Sequence, residues 1–374
     1  MRKKLSLLAS VATAAVILSA GSAGAAADGT STGKSPVQLA DGLVGPLHIS
    51  AGSHGSVTVS EEFAGRLTRI ASDGTKKVLY EAADWDIAGN TQWHGSTYFL
   101  ESQGAGPGDQ RDLLGHIRII DDDGDQRTLG DFAALEKDDN ADGKTLYGFR
   151  GLPTGCAALL PPEMPATYRG EVDSHPYAIA VTEHTIYVAD AGANSVVSVD
   201  AESGNTKTIA VLPPRPYKIT AEVAASNGLP DCVVGTIYDF EAVPTDVAVG
   251  PGGWLYVTSL PGGPEDPALG ARGAIFKVNP DDDDVKLVAD GIMSPTGLVI
   301  DDYGEMYVAS LFGEGILKID RESGEQTVVL AAGLTADVAL RGHRLYATAN
   351  ALGPNGQVLY LELDHGSNDR DSGS

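Results

Sequence analysis

The chain has 374 residues, with 51 Asp and Glu against 26 Lys and Arg, and a formal net charge of −25. An acid excess of this size leaves no basic footprint for nucleic acid or for an anionic membrane surface. It suits a soluble extracellular protein, cationic ligands or bound metal ions.

Residues 1–27 read as a secretory signal peptide: Arg2, Lys3 and Lys4, then an apolar stretch over 5–18, then small residues around Ala23-Gly24-Ala25. The apolar stretch is too short to cross a bilayer. Cleavage near Ala25 or Ala27 is expected, followed by a polar linker over 28–34. No later segment is long and apolar enough to be an anchor, so a secreted protein with no membrane span is expected.

From residue 35 the chain repeats. Residues 46–80 read PLHISAGSHGSVTVSEE and then GRLTRIASDGTKKVLY; 84–132, 176–212, 244–290 and 294–333 follow the same plan. In 294–333 four short apolar runs lie at 297–300, 306–309, 316–319 and 327–330. They are rich in Val, Ile, Leu and Tyr and too short for helices. Asp301-Asp302-Tyr303-Gly304 and Glu322-Ser323-Gly324-Glu325 stand where tight hairpins need residues tolerant of positive φ. One four-stranded unit cannot bury both of its faces, so stacked copies are required. The last unit, 336–363, lacks its fourth strand. The missing piece is at the other end: VQLADGL at 37–43 matches VKLVADGI at 285–292. Strand exchange between the two ends closes a ring and removes two sheet edges. The expected fold is all-β: a six-bladed β-propeller over 35–363, closed by an N-terminal strand, with a disordered polar tail at 364–374.

Cys156 lies in an insertion at roughly 140–171 and Cys232 in another at roughly 213–241. An even cysteine count in an exported chain predicts a disulfide between them. Both insertions emerge on one face at adjacent blades, as do the loops at 102–114 and 260–272. Long loops on one rim of a rigid scaffold are where binding normally sits.

Aligning the first strands places His48, Asp86, Ala178, Asp246, Gly297 and Asp337 at one position, with Glu61, Glu101 and Asp190 at the ends of second strands. Carboxylates converging at the channel mouth would raise one another's pKa unless a cation joined them. Oxygen-rich ligation suits calcium or magnesium, so His48, Asp86, Asp246 and Asp337 are the candidate metal ligands, with Glu61, Glu101 and Asp190 nearby. The alternative is that each Asp caps backbone N–H groups at strand entries. Asp138–Asp142 followed by Gly143 imitates the start of a calcium loop, but Phe149 stands at the twelfth position, where a bidentate Glu is needed. No GxSxG and no Walker loop occurs. His48 and His175 are the acid/base candidates, because imidazole titrates near neutral pH.

AVPTDVAVGPGGWLYVTSLPGGPEDPALGARGAIFKV (242–278), DSHPYAIAV (173–181) and PLHISAGSHGSVTVSEEFAGRLTRI (46–70) resemble the ScyD/ScyE family, exported propellers named after members encoded in scytonemin-pigment gene clusters. The resemblance covers about 36–363. The chain departs at Gly252-Gly253, where Asp-Gly is usual, and at His175, where Asn is common. The family implies an extracellular six-bladed propeller and brings no established activity and no catalytic residues. More distantly the chain is similar to NHL-repeat proteins and to the calcium-dependent phosphotriesterase and gluconolactonase group, which holds a divalent metal in the channel. The ring from His48 to Asp337 does not reproduce that group's Glu-Asn-Asn-Asp set. The expected function is a binding module whose long-loop face contacts a small ligand or an extracellular protein. The alternative is a divalent-metal-dependent hydrolase, lactonase or lyase at the channel mouth.

Overall fold

A computed structural model describes residues 35–363, apart from 107, 265, 283, 322 and 354. The expected signal peptide, linker and polar tail lie outside the described residues.

Each repeat folds as a four-stranded antiparallel meander. β1 (Val37–Leu43) comes first in the chain. β2 (Pro46–Ala51), β3 (Val57–Glu61), β4 (Arg66–Ile70) and β5 (Lys76–Glu81) form the first sheet, and β6 (Asp86–Trp93), β7 (Ser96–Gln103), β8 (Leu114–Ile120) and β9 (Gln126–Leu129) the second. β10 (Leu146–Arg150) and β11 (Thr167–Arg169) lie in the first insertion. β12 (Pro176–Val181), β13 (Thr185–Asp190), β14 (Ser195–Asp200) and β15 (Thr206–Val211) follow as the next repeat sheet. β16 (Arg215–Lys218) and β17 (Ile237–Phe240) lie in the second insertion. Two further repeats give β18 (Pro244–Val249), β19 (Leu255–Ser259), β20 (Gly273–Val278) and β21 (Val285–Ile292), then β22 (Pro295–Ile300), β23 (Met306–Ser310), β24 (Gly315–Ile319) and β25 (Gln326–Ala331). The last repeat supplies β26 (Val338–Arg341), β27 (Arg344–Ala349) and β28 (Gly356–Glu362).

β1 completes that last sheet. It runs antiparallel to β28, with Val37 opposite Tyr360, Ala40 opposite Val358 and Leu43 opposite Gly356. The first strands neighbour one another in turn: β2 with β6, β6 with β12, β12 with β18, β18 with β22, β22 with β26, and β26 with β2. Burial grades outward along each sheet. β3 is buried throughout as VTVSE, whereas β5 is mostly exposed and carries Lys76, Lys77 and Glu81. An inner strand has neighbours on both faces, and a charged outer strand discourages edge pairing. Apolar layers fill the space between sheets: Val57, Val59 and Ile70 pack with Leu43, Tyr346 and Val358.

The two insertions differ from the sequence expectation of long loops. β10, β11, β16 and β17 form a further four-stranded sheet in the order β11-β10-β17-β16. α1 (Phe132–Asp139), capped by the Asp131 side chain, leads into the first insertion, and the second carries the six-residue α2 (Ala221–Ser226), capped by Thr220. Phe149, Ile219, Val223, Val233, Tyr238, Phe240 and Leu269 give this layer its own apolar core. The Arg150 guanidinium meets the Asp239 carboxylate through two nitrogens across β10 and β17. The expected disulfide is present: Cys156 and Cys232 are bonded, with Cα atoms 5.9 Å apart and a sequence separation of 76. Chain-entropy arguments allow a loop of that length up to roughly 4 kcal/mol of stabilisation.

Asp138 and Asp139 end α1, and Asn140 caps it at a φ of 42°. Asp142 turns inward and accepts hydrogen bonds from the Tyr147 hydroxyl and the Asn194 amide, each at 2.8 Å. The segment is a helix end, not a loop wrapped around an ion.

Candidate functional site

Strand register decides which side chains face the channel. In β2, β12, β18 and β22 the ladder is irregular after the opening proline. His48 then pairs with Ser60, Ala178 with Ala189, Asp246 with Thr258 and Gly297 with Ala309. β6 differs. Asp86 pairs with Ser102, Ile87 with Glu101 and Asn90 with Phe99. Asn90 thus occupies the place of Ile49, which pairs with Val59, and Gly89 the place of His48. Asp86 therefore does not stand at the ring position expected of it; it sits at the strand entry. Glycine is required at this place twice. A Cβ on Gly89 would lie 2.7 Å from the Ala178 Cα, and one on Gly297 would lie 2.3 Å from an Asp337 oxygen.

Asp246 and Asp337 do face the channel, and both use their oxygens on backbone. Asp246 accepts from its neighbour Val247 and from Leu298 on the next sheet. Asp337 accepts from Val338 and from Ile49, each at 2.7 Å. These carboxyls clasp adjacent first strands, and the Asp337 clasp joins the last sheet to the first. Burial raises the Asp246 pKa to about 7. Burial, and then the charge of Asp246, raises Asp337.

Glu61, Glu101 and Asp190 are likewise held inside their sheets. Glu61 accepts from Arg66, Thr68 and the Val44 N–H. Glu101, fully buried, meets His116 and Arg118. For both, burial pushes the pKa up, but these bonds outweigh it and leave the group lowered. Asp190 accepts from Ser174 and from the N–H groups of His175 and Ala193. Among the described residues, no group of three or more His, Cys, Asp or Glu side chains is gathered to hold an ion. The set His48, Asp86, Asp246 and Asp337 thus does not fit calcium or magnesium.

A different constellation forms at the channel mouth. His48 is 3 % exposed. Its Nδ1 lies 3.9 Å from Asp337 Oδ2, and its Nε2 lies 4.0 Å from Glu62 Oε2. The Tyr177 ring packs edge-on against His48 at 4.5 Å and against His175 at 5.5 Å. Among the described residues, His48 Nε2, Glu62 Oε2 and His175 Nε2 are buried atoms with no hydrogen-bond partner. Buried polar atoms are rarely left so, and a functional role is one reason for it. Burial, and then the charge of His175, lowers the His48 pKa to about 3. Burial, and then the Asp86 carboxylate, raises Glu62 to about 8. At neutral pH His48 is an uncharged acceptor beside a largely protonated Glu62.

Glu62 and Tyr177 were not singled out by the sequence. Glu62 directly follows Glu61 and opens the short 3-10 turn Glu62–Ala64; which of two adjacent acids leaves the sheet is set by where β3 ends. Tyr177 lies in the His175-Pro176-Tyr177 stretch, whose place at a strand entry was legible.

A second concavity lies in the insertion layer. A cavity of about 130 Å³ is lined by Met164, Tyr168, Ile219, Tyr238, Phe240 and Leu269, with Glu241 among its walls. Gly262-Gly263-Pro264 closes one side; Gly263 has a φ of 98°, and a Cβ there would sit 2.6 Å from the Phe240 ring. Arg272 stacks over Phe240 at 4.6 Å. Burial raises Glu241 to about 7.

No family model and no curated protein matches the chain. Solved structures do. A gluconolactonase, XC5397 from Xanthomonas campestris, shares 16 % identity at a TM-score of 0.53, over 87 % of this chain and 88 % of that one. A Bacteroides thetaiotaomicron protein of unknown function shares 10 % at 0.54, over 85 % and 69 %. The PQQ-bound aldose sugar dehydrogenase of Streptomyces coelicolor shares 15 % at 0.50, over 87 % and 96 %. At such identities the likeness is one of fold. The chain is an all-β protein of propeller architecture.

Proposed function

We propose that the chain is an exported six-bladed propeller of the ScyD/ScyE kind that binds a small, largely apolar ligand on the face carrying its two insertions. The six-fold succession of first strands and the β1–β28 pairing support the blade count. The observation that carries the binding function is the cavity of about 130 Å³ walled by Tyr168, Tyr238, Phe240 and Met164, with the Glu241 carboxyl among its polar groups. Binding sites are commonly apolar concavities with a few placed polar groups. A dry cavity of about 150 Å³ accepts a benzene-sized molecule, so a single substituted ring is the class of ligand that fits. Saturation-transfer NMR with phenol tests it. Transfer is expected for the native protein and is expected to vanish in Leu229→Trp, which fills the cavity from its wall. Equal transfer in both proteins would contradict the assignment.

A second reading has its own support. At the channel mouth, uncharged His48 and protonated Glu62 hold unpartnered atoms 4.0 Å apart. In a hydrolase or lyase, His48 Nε2 would take a proton and Glu62 would give one to the leaving group.

A further inference from the structure

We propose that the channel mouth binds a small primary ammonium compound between His48, Glu62 and Tyr177. This does not rest on the apolar cavity, which is built from other residues.

The carboxyls at the mouth would be favoured in their ionised form by a bound cation. Glu62, Asp86, Asp246 and Asp337 raise one another's or Tyr177's pKa through their charges. Among the described residues, no lysine or arginine lies within ion-pair distance of Glu62, Asp246 or Asp337; His48 alone approaches Glu62 and Asp337. Arg111 feels Asp86 but is fastened to Asp109. An arriving ammonium would therefore meet carboxyls that no lysine or arginine pairs, and its charge would favour the ionised form of Glu62.

The free lone pairs fit an N–H donor. His48 Nδ1 faces Asp337, so a proton on Nδ1 leaves Nε2 as an acceptor. Nε2 and Glu62 Oε2 are 4.0 Å apart. A nitrogen about 2.9 Å from each would subtend close to a right angle, which two N–H bonds of one ammonium can span. Tyr177 supplies an aromatic wall beside His48, and such walls favour cations. His175 Nε2, also unpartnered and its ring 5.5 Å from that of Tyr177, remains for a further donor on a longer ligand. A divalent ion asks for more: several oxygen or nitrogen atoms converging on one point, which no group of described residues provides. An ammonium needs only the two acceptors and the ring.

Calorimetric titration with n-butylamine hydrochloride against n-butanol tests the proposal on the native protein. The amine is expected to bind at least tenfold more tightly than the alcohol. Glu62→Gln is expected to weaken amine binding at least tenfold, with folding checked by its melting curve, and Leu229→Trp is expected to leave it unchanged. Equal affinity for amine and alcohol, no heat with the amine at millimolar concentration, or undiminished binding by folded Glu62→Gln would overturn it. So would competitive displacement of the amine by calcium or magnesium chloride, which would assign the site to an inorganic cation.

Discussion

Deleting residues 35–44 is expected to yield a protein that melts at least 10 °C lower than the intact chain or fails to stay soluble. The deletion removes β1 and with it Ala40 and Leu43, which are 8 % and 1 % exposed and pack against Ile49, Tyr346 and Val358. It also bares the edge of β28, which pairs with β1 along its length. Truncating a buried leucine costs about 2–5 kcal/mol by itself, and an open strand edge invites pairing between molecules. Leu43→Ala should therefore lower the midpoint by about 5 °C without aggregation, and the deletion by considerably more. Circular dichroism melts with light scattering separate the two. Unchanged melting of the deletion would mean that β1 is an ornament on a fold complete without it.

Stability is expected to fall as pH rises from about 5 to 8. Burial raises Glu62 to about 8 and Asp246, Glu136 and Glu241 to about 7, and raises Asp337 as well. In the unfolded chain these groups titrate near 4. Between the two ranges the folded protein holds protons that the unfolded chain has released, so each further rise in pH favours unfolding, by up to about 1.4 kcal/mol per proton per unit. The stabilisation is complete below the unfolded pKa and gone above the folded one. Glu61 and Glu101 oppose this at the acid end: their pKa values are lowered, so their contribution fades as pH falls below about 4.5. The optimum should lie near pH 5, with a midpoint at least 5 °C higher at pH 5.5 than at pH 8. Scanning calorimetry across that range checks it. A flat profile, or a midpoint still climbing at pH 8, would show that these carboxyls are ionised in the folded protein.

The repeat sheets were legible because each run of Val, Ile, Leu and Tyr is short and many of the turns between them carry Gly, Asn or Asp. The partner of β28 was legible because VQLADGL and VKLVADGI share a pattern of exposed and buried positions; both strands bury their fourth-from-last alanine and their final Leu or Ile. The seventh sheet was hidden by distance. β10 and β17 pair across 89 residues, as Arg150 and Asp239 show, and no hairpin turn joins them. The disulfide between the same two insertions was nonetheless predictable, since it needs only their shared rim.

The channel position was misread where the chain lacks its usual marker. Most first strands open on a proline, but β6 opens on Asp86, and the ring position falls three residues on, at Gly89. The acids at the ends of second strands were misjudged for another reason. Residue type does not reveal whether a carboxylate turns to a neighbouring arginine, as Glu61 does to Arg66, or leaves the sheet, as Glu62 does. That outcome depends on one peptide of strand length.

The two ends of the described chain lie in one sheet, and a cross-link reads this directly. Gln38 and Leu359 are register partners, and the native cysteines are already bonded to each other. Gln38→Cys with Leu359→Cys should oxidise within single chains, giving a monomer that runs faster on a non-reducing gel and melts higher than its reduced form. Persistent free thiols, or covalent dimers in place of the compact monomer, would mean that β1 does not close the sheet of β26, β27 and β28.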